Sequence, residues 1–109
     1  MSSQAVFIKA GTPQPAQERG TELKQAIIQL MAVPLDDHDE GWRVIATYPG
    51  SGYRSTGYRS AHARAGKIRQ GKVEYFNQFG KFDALARSMG EGMVGLYVRW
   101  LGEDGKRWE

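Results

Sequence analysis

Two copies of Gly-Tyr-Arg-Ser stand side by side in this chain, Gly52–Ser55 and Gly57–Ser60, with Thr56 between them. Their side chains suit one task above others, the holding of an anion. A guanidinium meets phosphate in a two-pronged geometry, and Ser, Thr and Tyr hydroxyls add hydrogen bonds. Glycine lets a ligand come close to the backbone. The basic character continues beyond the repeat. From Gly50 to Val73 the sequence carries six cations, Arg54, Arg59, Arg64, Lys67, Arg69 and Lys72, and no acid. A segment charged in this way steers polyanions toward itself. Tyr53 also offers a ring on which a base could stack. The residues expected to contact nucleic acid, DNA or RNA, are therefore Tyr53, Arg54, Ser55, Arg59, Ser60, Arg64, Lys67, Arg69 and Lys72. A plainer reading uses the same letters: a glycine-rich linker, Ser55 or Thr56 capping a helix, and a solvated basic face behind it.

Other chemistry finds little support in the residue types. His38 and His62 are the two histidines, and there is no cysteine. Disulfides, thiolate metal sites and a cysteine nucleophile are thereby excluded. His38 lies among Asp36, Asp37, Asp39 and Glu40. That loop lacks the turn glycine and the closing glutamate at calcium-loop spacing, so a solvated acidic loop is expected there. Ser55, Ser60 and Ser88 have no evident base, and the glycines fit neither a dinucleotide fingerprint nor a P-loop. The expectation is a binding protein, with no enzymatic activity, no metal and no cofactor.

Those residues need a scaffold, and 109 residues provide for one domain. Lys and Arg number 15 against 12 acids, a formal net charge of +3. The N-terminal residues have no basic leader region, and no apolar run is long enough to cross a bilayer. A soluble cytoplasmic protein without membrane partners is expected.

Hydrophobic spacing gives the elements. Residues 1–20 read as a flexible arm or edge segment, with Ala5–Lys9 able to pair as a short strand before the breaker Gly11–Pro15. The remaining domain spans 21–109. Thr21 is placed to cap a first helix whose stripe is Leu23, Ala26, Ile27 and Leu30, ended by Pro34. That helix either completes the core or joins two copies of the chain. Gly41–Tyr48 alternates as a strand, with Trp42, Val44, Ala46 and Tyr48 on one face and Arg43, Ile45 and Thr47 on the other. Thr56–Gln70 forms a second helix with the stripe Tyr58, Ala61, Ala65 and Ile68, and Gly71 stops it. His62 falls at the edge of that stripe as a packing residue. Tyr75–Phe79 reads as a packed connector. Lys81–Met89 and Met93–Leu101 form a hairpin around Gly90-Glu91-Gly92. The fold class is α+β: a small three-stranded, mainly antiparallel sheet in the order α-β-α-β-β, a helix packed on one face, and an N-terminal arm. The helix is expected to meet Trp42, Val44, Val98 and Trp100. Arg43, Thr47, Tyr97 and Arg99 would then face outward, a second basic and aromatic surface that could stack bases, though charges that keep sheet edges from aggregating explain the same residues and are the favoured reading.

Trp42-Arg43-Val44 leading to Tyr48-Pro49, the run Arg64–Lys72, then Gly80–Ala84 and Val94–Gly102 together resemble small uncharacterised proteins of actinobacteria and their phages. The resemblance covers about residues 41–102. It implies no activity, and it raises the expectation of a phage or prophage accessory regulator. Two functions follow from the sequence. One is phosphate-contacting nucleic-acid binding. The other is a protein–protein interaction module, such as a phage factor inhibiting a host protein through an acidic surface of that partner.

Overall fold

The computed structural model describes residues 19–109, with side chains from Leu23 onward. The arm expected at 1–20 lies outside that range apart from its last two residues, and the strand considered at Ala5–Lys9 lies outside it altogether. Five elements follow in order: α1 (Arg19–Met31), β1 (Arg43–Pro49), α2 (Thr56–Arg69), β2 (Phe82–Gly90) and β3 (Met93–Trp100). The class is α+β, as the spacing predicts. The sheet is antiparallel with strand order β1-β3-β2, so β3 is central. Its inner face carries the alternating Val94, Leu96 and Val98, all buried.

The expectation that Thr21 caps the first helix is corrected, since α1 already begins at Arg19. Its apolar stripe performs as the spacing requires. Ala26, Ile27 and Leu30 are buried, and Ile27 and Leu30 join the main core beside Leu96 and Val98. Of the two roles open to this helix, the structure shows completion of the core. Self-association through the same stripe would have to uncover it. The exposed large apolar residue left on α1 is Ile28.

In β1 the predicted faces are corrected by a bulge. Register runs from Val44↔Tyr97 directly to Ala46↔Leu96, leaving Ile45 as an extra residue. An unpaired residue shifts the alternation by one position. Ile45, Ala46 and Tyr48 therefore pack with the core. Val44 shares the opposite face with Tyr97, and Trp42 lies under the Arg99 guanidinium, 4.8 Å from its ring centre. Neither Trp42 nor Val44 meets α2. In β2 Phe82 and Ala84 are buried, while Leu85 sits opposite Tyr97 on the other face.

The hairpin turn is Glu91-Gly92, both with positive φ (57° and 75°). That is the backbone a two-residue turn needs to match strand twist. The connector after α2 is packed as expected. Phe76 is buried edge-on to Phe82 at 4.9 Å, and the Phe79 carbonyl accepts the Trp100 indole N–H at 2.7 Å. The polar tail folds back. Trp108 donates to the Trp100 carbonyl, and Arg107 lies over both indoles while donating to the Val33 carbonyl. Both outer strands carry features that discourage edge-to-edge pairing. β1 has its bulge and ends in Pro49. At Ala84 of β2, Asp83 accepts the N–H and Arg69 donates to the carbonyl.

The acidic loop is organised rather than merely solvated. Asp37 accepts the Asp39 and Gly41 N–H groups, each at 3.0 Å, and takes both arms of the Arg43 guanidinium at 3.0 and 2.6 Å. The Arg43 hydrogen bonds outweigh the cost of burial and hold the Asp37 carboxyl down at about 2, against an ordinary 3.8. A depressed pKa means stability that is full above about 4 and lost as pH falls toward 2. With solvent screening the amount is on the order of 1–2 kcal/mol. Asp37→Asn is expected to lose about that much at neutral pH and to flatten the acid limb of the stability curve between pH 4 and 2. Urea melts at a series of pH values measure both; an acid limb unchanged by the substitution would remove the Arg43 pairing as its source.

Candidate nucleic-acid interface

The opening repeat forms the turn and first residues of α2. Ser55 is the N-cap. Its backbone is extended (φ −71°, ψ 156°), and its hydroxyl oxygen accepts the Tyr58 N–H at 3.1 Å. The same hydroxyl donates to the Gly52 carbonyl at 2.8 Å. Its proton is thus committed, and Ser55 has none to give a phosphate. Gly50 N–H donates to the Gly92 carbonyl at 2.8 Å, pinning the loop to the hairpin turn. At the other end, Gly71 has φ 72°, and the Gly71 and Lys72 N–H groups return to the Ile68 and Lys67 carbonyls. This double return closes the helix with its orphan carbonyls satisfied. Lys67 and Arg69 lie in the last turn, where cations favour the helix dipole.

The stripe that docks α2 differs from the predicted one. The buried residues are Gly57, Ala61, Ala65 and Ile68, and Tyr58 is displaced from it. Tyr58 stands half-buried on the flank, its ring edge-on to Tyr53 at 4.9 Å and stacked on His62 at 5.9 Å. His62 is exposed, a ring partner rather than a core residue. Tyr53 keeps 69% of its surface. The signal for Gly57 was available in the sequence. Gly57, Ala61 and Ala65 recur every four residues, the spacing of a narrow face that admits close approach to a sheet.

Around that stripe the cations divide. At 100° per residue Ser60, Arg64 and Lys67 fall on one flank, Arg69 on the other, and Arg59 points away from the sheet. The first group lines a groove between α2 and the open edge of β1, bottomed by Tyr48, Ile45 and Leu23. Burial pushes the Tyr48 phenol up, against a smaller opposing pull from Arg64, so it stays a hydrogen-bond donor at neutral pH. Arg69 is spent on the fold, its Nη1 donating to the Ala84 carbonyl at 2.6 Å. Arg54, Arg59, Arg64, Lys67 and Lys72 are exposed. The ion pairs among the described residues are Arg43–Asp37 at 2.6 Å and Arg99–Glu40 at 3.5 Å, and neither uses these five. The structure thus brings Tyr53, Arg54 and Arg59 to the start of α2 and Ser60, Arg64 and Lys67 to the groove, while Ser55 and Arg69 work as structural ties.

No known family, curated protein or solved structure matches the chain.

Among the described residues no cluster of three or more His, Asp or Glu is placed to hold a metal ion, and no helix is long and apolar enough to cross a membrane. Within the acidic loop Asp37 is turned onto Arg43, while Asp36, Asp39 and Glu40 stay exposed. Among the described residues, no ion pair uses the cations of α2.

Proposed function

We propose that this protein binds nucleic acid by contacting phosphates with Arg54, Arg59, Arg64, Lys67 and Lys72. The observation that carries the reading is that five exposed cations on one helix and its flanks have no ion-pair partner among the described residues. Side chains left charged and solvated gain most from a polyanion, because binding releases its condensed counterions. Tyr53 stands beside Arg54 as an exposed ring for a base. The reading assigns the chain a binding role, in keeping with a phage or prophage accessory regulator, and no catalysis.

Changing Arg54 and Arg59 together to Gln tests it. Binding is expected to weaken on all sequences alike, because phosphate contacts position without specifying. The log–log salt slope is expected to flatten by about 1 for each phosphate no longer neutralised. Stability is expected to stay within about 0.5 kcal/mol, since both side chains are exposed. Anisotropy titrations with DNA and RNA at several salt concentrations, with a thermal melt of the variant, measure all of this. No binding to either at low salt would end the reading, as would a double variant that binds like the parent.

The groove beside β1 favours a second reading, a protein partner with an acidic segment. Its lining joins Arg64 and Lys67 to apolar Leu23 and Ile45. A complex built on such anchors is expected to depend far less on salt.

A further inference from the structure

The sheet face turned away from α1 and α2 has no described helix or strand over it, and it is not flat. Val44, Tyr97 and Leu85 form a row across β1, β3 and β2, each directly opposite the next. With strands spaced roughly 4.8 Å apart, that row is roughly 10 Å across. Together with Trp42 it lines a hollow of about 370 Å³. Asp39 borders the hollow on the β1 side and Arg87 on the β2 side. Tyr97 reaches back over Gly95, where an added Cβ would lie 2.9 Å from its Cε1. Arg43, also on the lining, is tied to Asp37 and lies within electrostatic reach of Asp39.

We propose that this hollow takes one unpaired nucleobase together with its phosphate. Tyr97 and the Trp42 indole, one face of which lies under the Arg99 guanidinium, supply stacking surface, and Val44 and Leu85 supply an apolar bed. A plain apolar ligand would leave the bordering charges unused. A base uses both kinds: an exocyclic amine donates to a carboxylate, as to Asp39, and a phosphate accepts from a guanidinium, as from Arg87. The opposite placement of acid and cation across the row gives the ligand a direction, amine toward β1 and phosphate toward β2. Hollows of this size and mixed lining are the usual form of small-ligand sites. The site lies on the face opposite α2, so it stands or falls independently of phosphate binding there. The chemistry is shared by a free nucleotide and by one unpaired nucleotide of a strand.

The test follows the Trp42 indole N–H resonance, assigned through Trp42→Phe, during titration with AMP, adenosine, UMP and a single-stranded adenine tetranucleotide. AMP is expected to shift it, with adenosine (no phosphate) and UMP (no exocyclic amine) binding several-fold more weakly. Tyr97→Ala is expected to weaken AMP about tenfold, the scale of one base–aromatic stack. Arg87→Gln, an exposed change that spares the fold, is expected to reduce AMP to the affinity of adenosine. A tetranucleotide binding at least tenfold more tightly than AMP identifies a strand as the source; equal affinity identifies the free nucleotide. The Arg54/Arg59 double variant is expected to bind AMP unchanged, which separates this site from the α2 surface. A Trp42 resonance unmoved by AMP and tetranucleotide at millimolar concentration overturns the proposal. So does a shift that persists undiminished in both Tyr97→Ala and Arg87→Gln.

Discussion

Gly57→Ala is expected to lower the melting temperature by roughly 10–20 °C, against the sign that helix propensity gives. Propensity alone favours alanine over glycine within a helix by about 1 kcal/mol. At Gly57 that gain meets a hard obstacle. A Cβ there would stand far inside van der Waals contact with the Pro49 carbonyl oxygen, 2.7 Å from the Pro49 carbonyl carbon and 3.3 Å from the Gly50 Cα. Each of these atoms is backbone, so no side chain can swing aside. Either α2 lifts from the end of β1 or β1 bends, and both disturb the loop that Gly50 ties to the hairpin turn. Overpacking against rigid atoms costs about 3 kcal/mol or somewhat more. Gly66, further along the same helix, is the control. A Cβ there meets nothing nearer than an Arg69 guanidinium nitrogen at 3.7 Å. Gly66→Ala is expected to stabilise by about 0.5–1 kcal/mol. Thermal melts of the two variants decide the matter, and a Gly57→Ala protein as stable as Gly66→Ala would mean that α2 does not lie so close to Pro49.

That pair also shows which parts of the fold the letters carry. Period and alternation place the α1 stripe, β3 and the hairpin turn, because those depend on local repetition. They fail where one residue breaks the repetition. The extra Ile45 reverses the faces of everything before it in β1, and nothing in Trp42–Tyr48 distinguishes a bulged strand from a regular one. Tyr58 has the spacing to head an apolar stripe, yet the contact is so close that only Gly57 fits. Sequence reasoning that rewards large apolar residues overlooks a face built from small ones. Long-range ties are equally hidden. Arg69 reads as one more cation until the Ala84 carbonyl lies at 2.6 Å, and Arg107 reads as a tail residue until it lies over Trp100 and Trp108. For the candidate interface, the sequence locates the cations and their lack of acid neighbours along the chain. It does not show that the helix divides them between its start and a groove, because that division depends on which face docks.

Ala65→Arg is expected to reduce nucleic-acid binding although it adds a positive charge to the basic helix. Ala65 is fully buried in the core between α2 and the sheet, beside Ile68, Ala84 and Val98. An arginine there must either bury an unpaired guanidinium or push the helix off the sheet, and each costs about 3–5 kcal/mol. Domains of this size hold only about 5–15 kcal/mol in total, so a large part of the folded population is at risk. If the five cations act as a surface, their spacing depends on α2 lying on β1, β2 and β3, and undocking the helix scatters them. If charge alone attracted the polyanion, one more cation would strengthen binding at low salt and steepen the salt slope. The two accounts therefore predict opposite signs for a single substitution. Circular dichroism establishes how much of the variant is folded at the assay temperature, and anisotropy at low salt then gives the affinity. Lower affinity accompanying a lowered melting point fits a docked helix presenting its cations. Undiminished stability with tighter binding would place Ala65 at the surface and turn the helix face described here the wrong way round.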